Sequence, residues 1–378
     1  MDPELDLLHR LLGDGPRFSE EHWGQRSLLR ASGSDFRDLI DLPVIEQLLL
    51  ASARPPTFRL VQDGVTLPQD RSTRSVRLGG RLVEGVADLA RIAEAVDAGA
   101  TLVLQALQRT SPTITALCRD LERAVSHPVQ ANAYLTPAGS AGLARHHDDH
   151  DVLVLQVLGR KAWDVDDLGA IQTQPGDVLY IPARVRHEAS TQDGSSLHLT
   201  LGILRVTRAQ LLRRALDRLP GADADRPLPL GYARPERAAE LVAEVERTMA
   251  DALHALEGAD PAELADAERA RARSRRAPVP DGALQSVLVL DQLRASSVVA
   301  TRPDHGASLR PGPGSDGRVV LELGDRRLRL PPVTASAVHQ LLDEPQVEVG
   351  ALRDLDESSQ RVLVTRLVRE GLLVVVRP

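Results

Sequence analysis

The chain almost lacks lysine. Of its 378 residues 46 are Lys or Arg, and Lys161 is the only lysine, so 46 − 1 leaves 45 arginines. The two are unequal at a tight anion site, one a compact ammonium and the other a wide planar fork. Lys161 sits just beyond the cluster His146-His147-Asp148-Asp149-His150-Asp151. A lone lysine there reads as a cation holding an anionic co-substrate beside a metal; the competing reading is chance survival on a surface strand. Cysteine is equally scarce. Cys118 alone excludes an internal disulfide and fits a reducing, cytoplasmic setting. It lies in the helix-like Thr115-Ala116-Leu117-Cys118 and reads as a small core residue. Aromatics are 2%, so the cores must come from Leu, Val, Ala and Ile. No run of about 18 apolar residues exists, which argues against a membrane span. The acidic opening Met1-Asp2-Pro3-Glu4 lacks the basic start and apolar run of a signal peptide. Excess positive charge is missing too: a net charge of −7 speaks against a general nucleic-acid binder.

What is present changes character along the chain, and the length suits two or three domains. Residues 1 to about 100 are mixed. Helices are expected at Leu5–Leu12, from an N-cap at Ser19 through Trp23, at Leu39–Leu50 and at Val86–Ala98. A buried strand at Thr101–Leu107 and a helix at Pro112–Ala124 follow. From Pro128 short apolar strands take over: Val129–Leu135, Val152–Val157, Lys161–Val165, Val178–Pro182 and Ser196–Ile203. Loops and turns at Pro137–Gly142, Leu158-Gly159-Arg160 and Pro175-Gly176-Asp177 join them, the pattern of an antiparallel sandwich or barrel. Helical spacing returns at Thr207–Leu219, Arg234–Glu257 and Pro261–Arg276. There Ala238, Leu241, Val242, Val245, Met249, Leu253 and Leu256 form one stripe, which a partner from the same chain or a second copy would cover. A linker at Pro278–Gly282 and a Pro/Gly loop at Arg310–Gly314 lead to a closing order of helix (Thr334–Leu342), turn, helix (Glu357–Glu370) and strand (Leu372–Val376), which looks like a winged helix. The expected division is 1–205, 206–280 and 281–378.

The chemistry concentrates at the histidine cluster. His146-x-Asp148 puts two ligand types on one side of a strand. His187 follows a Pro-Gly-Asp turn and an apolar strand. Two histidines and one carboxylate with open positions form the facial triad of non-haem Fe(II) oxygenases. The spacing alone leaves His147-x-Asp149 as good a choice, with His150 spare; the bland alternative is a solvated acidic loop.

Residues His146 to Trp163, ending Leu155-Gln156-Val157-Leu158-Gly159-Arg160-Lys161-Ala162-Trp163, resemble the core of the JmjC-type, cupin-like ribosomal oxygenases. Pro175–Pro182, Ser196–Thr200 and Phe18–Trp23 resemble further segments. The resemblance implies an α+β protein with a double-stranded β-helix core, a helical dimerisation region that makes a homodimer, and a C-terminal winged helix. It implies His146, Asp148 and His187 as iron ligands, with His147 turned away, and Lys161 as the partner of the distal carboxylate of 2-oxoglutarate. Asn132 and Tyr134 stand where family members contact substrate or co-substrate. His198 and Thr200 share a strand face and are candidates to line the pocket, although Tyr134 and His198 also suit plain core roles.

The implied activity is O2-dependent hydroxylation of a His or Arg side chain in a protein, ribosomal in this family. The family's histidyl branch has Ser near Gly202 and its arginyl branch has Asp near Gly139; neither is present. A hydroxylase of a biosynthetic peptide is the nearer rival. A metabolite-sensing cupin with a DNA-binding winged helix is the other. Against the latter, Arg361, Arg366 and Arg369 are offset by Asp354, Asp356 and Glu357.

Overall fold

The computed structural model describes residues 3–51, 53–140, 144–191, 194–217, 227–274, 282–302, 306–312, 315–324 and 326–378. Ala141-Gly142, Leu219, Arg276, most of the linker at Pro278–Gly282 and Pro313-Gly314 lie outside them. Two compact units divide at Val206/Thr207. No helix among the described residues is long and apolar enough to cross a membrane.

Thirteen strands are described in the first unit: β1 (Leu28–Ala31), β2 (Phe58–Gln62), β3 (Val65–Thr66), β4 (Thr73–Leu78), β5 (Arg81–Ala87), β6 (Thr101–Leu104), β7 (Val129–Thr136), β8 (Asp151–Leu158), β9 (Lys161–Val165), β10 (Gly169–Thr173), β11 (Asp177–Ile181), β12 (His187–Ser190) and β13 (Ser196–Ile203). Eight make one sheet in the order β1-β11-β8-β13-β7-β6-β2-β3, and β10-β9-β12 make a second. Every pairing is antiparallel.

Period-two alternation explains the large sheet. Ala131, Ala133, Leu153, Leu155, Leu199 and Leu201 point to one face and join the main core. Each full burial of a leucine there contributes about 1.5–3 kcal/mol. The intervening residues point the other way. Val152, Val154, Leu179 and Ile181 meet Trp163 and Val165 of the small sheet in a separate cluster. Gln130, Asn132, Tyr134, Thr136, His198 and Thr200 share that second face and line a cavity. A polar row on the inner face of a sheet is costly unless something uses it.

Five helices, α1 (Pro3–Leu12), α2 (Gly15–Glu21), α3 (Leu42–Leu50), α4 (Leu89–Asp97) and α5 (Pro112–Val125), complete the unit. Asp14, Asp41, Asp88 and Ser111 cap α2 to α5 by accepting from the backbone N–H three residues on. Ser19 is therefore not a cap; it lies inside α2, which starts earlier because Asp14 caps it and Pro16 suits its first turn. The helix expected from Val86 begins at Leu89, since Val86 and Ala87 pair with β4. The strand at Thr101 stops at Leu104, and Leu107–Arg109 form a 3-10 turn. Cys118 is buried among Ile114, Leu117 and Leu121 of α5.

In the second unit, α6 (Arg208–Leu216), α7 (Ala238–Glu257) and α8 (Pro261–Ser274) come first. Arg214 of α6 and Glu268 of α8 form an ion pair. No described residue of α7 is buried, and Val242, Val245, Met249 and Leu253 are 57%, 48%, 61% and 60% exposed. After α9 (Ala283–Leu288) come β14 (Val298–Thr301), β15 (Ser308–Pro311), β16 (Val319–Leu323), β17 (Arg326–Leu330), α10 (Ala335–Asp343), β18 (Val347–Glu348), α11 (Glu357–Arg369) and β19 (Leu373–Arg377). They form two three-stranded sheets, β18-β14-β19 and β15-β16-β17. Val338, Leu341, Val364 and Leu367 lie in their shared core.

Candidate metal centre

His146 and Asp148 lie in the segment leading into β8, and His187 opens β12. The backbones of His146 and His187 exchange hydrogen bonds of 3.1 and 2.8 Å, an isolated antiparallel bridge that brings the two segments together. The Arg184 N–H donates to the Asp148 carbonyl at 2.8 Å and fixes the loop between the histidines. One ligand atom from each of His146, Asp148 and His187 lies within 4.8 Å of the others. Nε2 of His146 is 3.9 Å from the Asp148 carboxylate, and that of His187 is 3.6 Å away.

The rings are oriented by their other nitrogens. Nδ1 of His146 donates to the Ala144 carbonyl at 2.8 Å, and Nδ1 of His187 to that of Val185 at 3.1 Å. Each Nε2 is then the unprotonated nitrogen, the form a metal needs. Burial lowers the His187 pKa and favours that neutral form. This donor set can hold a divalent metal with positions left open. His147 and Asp149 are exposed, so the alternative register is not the one brought together.

Arg145 anchors the residue before the first ligand. It pairs with Asp164 of β9 at 2.8 Å, with Glu188 of β12 at 3.5 Å and with Asp166 in the turn after β9. Behind the site the Asp151 carboxylate is fully buried. It accepts from the Tyr180 hydroxyl at 3.0 Å and the Ala183 N–H at 2.8 Å, and it lies 3.3 Å from Arg205. Tyr180 accepts in turn from the Gly24 N–H at 2.8 Å and stacks on Trp23. Phe18, Trp23 and Tyr180 thus meet where the N-terminal segment joins the metal strands.

The triad opens into a cavity of about 310 Å³. Lys161, 2% exposed, points into it and donates to the Thr136 hydroxyl at 3.0 Å. Burial lowers its pKa from 10.5 to about 7. Among the described residues no carboxylate ion-pairs with it, so the cavity offers an ammonium in want of an anion. Gly159 sets up this placement. It has φ +65°, and a Cβ there would overlap the Ser195 carbonyl oxygen. Behind Lys161, Thr173 donates to Gln156 at 2.9 Å and accepts from the Trp163 indole at 3.1 Å.

Asn132, Tyr134, His198 and Thr200 all line the cavity. The Asn132 side-chain oxygen accepts from the Ala106 N–H at 3.0 Å, which turns its amide NH2 away from that contact. Tyr134 and His198 stack at 4.9 Å and 6°. Burial holds the Tyr134 phenol protonated and the His198 imidazole well below its usual pKa. His198 Nδ1 has no hydrogen-bond partner. Thr136 and Gln130 belong to the same wall and carried a signal, since they follow the alternation that singles out Asn132 and Tyr134, and Trp163 lines the cavity from β9, two residues after Lys161. Arg59 also lines the cavity and carried none.

The family model for the JmjC domain matches residues 104–174 and 170–211. Ribosomal oxygenase 1 of Rattus norvegicus is 39% identical over 129 residues, covering 28% of this chain and 22% of the relative. The bifunctional lysine-specific demethylase and histidyl-hydroxylase NO66 of Dictyostelium discoideum is 33% identical over 137 residues, covering 29% and 27%. The chain thus spans about a quarter of the length of these curated relatives. Among solved structures, the Escherichia coli ribosomal oxygenase YcfD in complex with cobalt and succinic acid aligns with a TM-score of 0.53 and 19% identity, over 97% of this chain and 99% of that one. The same protein with cobalt and 2-oxoglutarate aligns with a TM-score of 0.52 and 16% identity, over the same shares. The overall fold is shared with that oxygenase, and residues 104–211 of this chain match the JmjC domain model.

Proposed function

We propose that this protein is an Fe(II)- and 2-oxoglutarate-dependent dioxygenase that hydroxylates a side chain of a protein, most simply a ribosomal one. One observation carries the reading: two Nε2 atoms and a carboxylate converge in a cavity that also holds a buried, acid-free ammonium. Oxygen and imidazole donors suit Fe(II), and an unpaired buried cation suits a dicarboxylate. The bound cobalt and 2-oxoglutarate of the structurally similar Escherichia coli enzyme support the same assignment.

His146, Asp148 and His187 hold the metal, and Lys161 with Thr136 grips the far carboxylate of the co-substrate. Iron with 2-oxoglutarate and O2 supplies the oxidising power to place one oxygen atom on an unactivated carbon. The chain's residues do the rest. The Nδ1 contacts to Ala144 and Val185 keep both rings aimed. Tyr134 and His198 stay neutral, Asn132 offers its amide, and the Trp163 side of the cavity limits water. Incubating ribosomal proteins with the enzyme and both co-substrates, followed by intact-mass measurement, tests the reading. A gain of one oxygen atom that His146→Ala abolishes is expected; no gain on any ribosomal protein sinks the ribosomal target, and no 2-oxoglutarate turnover sinks the enzyme.

The exposed α7 stripe supports a homodimer built through 206–280, and the order of elements in 281–378 supports a winged helix. Sedimentation of Met249→Glu against the parent tests the dimer: a shift to monomer is expected. The buried thiol of Cys118 is consistent with a cytoplasmic enzyme.

A further inference from the structure

One end of the cavity has no part in holding metal or co-substrate. Gln130 and Gly202 face each other across β7 and β13, with Asn132 and Thr200 as the next pair. This end lies six residues along β7 from Thr136, roughly 20 Å at 3.3 Å per residue. His150 reaches it from the metal loop. A Cβ built on Gly202 would lie 2.8 Å from Cδ2 and Nε2 of His150. Only a residue without a side chain at 202 lets the imidazole rest against the strand. Among the described residues none hydrogen-bonds the side chains of Gln130, Thr200 or His150, so three polar groups line this end unused. The charge around them is one-sided. Asp148 is the sole carboxylate among the described lining residues, and it belongs to the triad; Arg59 and Lys161 are cations. A guanidinium or ammonium brought here would lose its water and find no acid. A neutral planar group would find an amide, a hydroxyl and an imidazole.

We infer that His150, seated over Gly202, is the specificity residue for the target side chain, and that this target is a neutral planar donor–acceptor group, imidazole or carboxamide, rather than a cation. The inference rests on the hydroxylase reading above, but its test measures no turnover, so the two can fail separately. The metal-free full chain is titrated with 4-methylimidazole, propionamide and methylguanidinium at about pH 8.5, where a free alkylimidazole is neutral and the guanidinium still charged. The NMR signals of the Gln130 side-chain amide and the Thr200 methyl are followed. Millimolar 4-methylimidazole or propionamide should shift both signals and methylguanidinium should not. His150→Ala should weaken that binding about tenfold, the worth of one hydrogen bond. Gly202→Ala, which pushes the ring aside, should do the same and serves if the first variant folds poorly. Equal or larger shifts with methylguanidinium, no shifts with any of the three, or unchanged binding in both variants would overturn the inference.

Discussion

Lys161 meets Thr136 inside the cavity: the ammonium donates to the hydroxyl at 3.0 Å, and no carboxylate among the described residues pairs with it. A neutral hydroxyl does not offset the loss of water around a buried charge. On the function proposed above, the missing partner is the carboxylate of a bound ligand. Lys161→Met should therefore weaken 2-oxoglutarate binding about ten- to a hundredfold, the range for a hydrogen bond to a charged group. Metal affinity should stay within error. Lys161→Arg should not restore it, because the wide fork does not fit the space of an ammonium. Calorimetric titrations with Mn(II) and then 2-oxoglutarate read both quantities, and equal co-substrate affinity in the Met variant would remove Lys161 from the site.

The same residue gives a pH dependence. Its folded pKa, about 7, is below its ordinary 10.5. Between those values the unfolded chain holds more protons than the folded one, so stability rises with pH across that window. Below about 7 both states are protonated and the dependence flattens. Ligand binding runs the other way. A dicarboxylate takes the ammonium form, so above pH 7 binding must take up a proton and weakens by as much as about tenfold per unit. Urea midpoints over this range, and titrations in two buffers of different ionisation enthalpy, check the two signs. Lys161→Met should flatten both curves; an unchanged slope would place their origin elsewhere.

Metal should bind and stabilise. Anything that binds only the folded state at a hundred times its Kd adds about 2.7 kcal/mol. Mn(II) should raise the melting temperature of the parent and not that of Asp148→Ala. The apo form of Asp148→Ala should melt close to the apo parent, because Asp148 is partly exposed and, among the described residues, its carboxylate pairs with the two imidazoles alone. An equal metal-induced shift in both proteins would mean that the ion sits at another site.

The legible parts of this chain are those where apolar residues recur at every second position and bury at least one face. β9 and β13 occupy the residues that alternation gives, Lys161–Val165 and Ser196–Ile203. The β4–β5 hairpin was not legible, because both its faces are largely exposed and Arg74, Arg77, Leu82 and Glu84 carry no period. Spacing left two H-x-D registers open. What separates them is the backbone bridge between His146 and His187, a contact 41 residues apart that no local pattern encodes. His150 stayed a spare histidine for a similar reason: its meaning depends on a glycine of β13, across the cavity.

Gly159 ties fold to site. Its left-handed φ and the overlap that any Cβ would make with Ser195 act together. A forced left-handed residue costs about 1–3 kcal/mol before any overlap. Gly159→Ala should lose at least about 2 kcal/mol in urea unfolding. Because the turn feeds directly into Lys161, the same variant should also bind 2-oxoglutarate more weakly. A loss of stability with full co-substrate affinity would show that the turn does not set the lysine's position.

Asp151 is the last link between the N-terminal segment and the metal strands. Its carboxylate is 0% exposed and holds Tyr180, Ala183 and Arg205 together. Asp151→Ala leaves the Arg205 charge without its counter-ion and the Ala183 N–H without its acceptor, which costs about 1–3 kcal/mol because Arg205 stays partly hydrated while the N–H goes unpaired. Asp151→Asn keeps the shape and one acceptor oxygen and should cost less. The Tyr180 hydroxyl then loses its acceptor, which frees Gly24 and the Trp23 stack behind it. Fluorescence of Trp23, isolated in a Trp163→Phe background, should report that release, with a red-shifted and more quenchable emission in Asp151→Ala. Unaltered emission alongside lost stability would confine the role of Asp151 to the β8–β11 side and leave the N-terminal segment held by stacking alone.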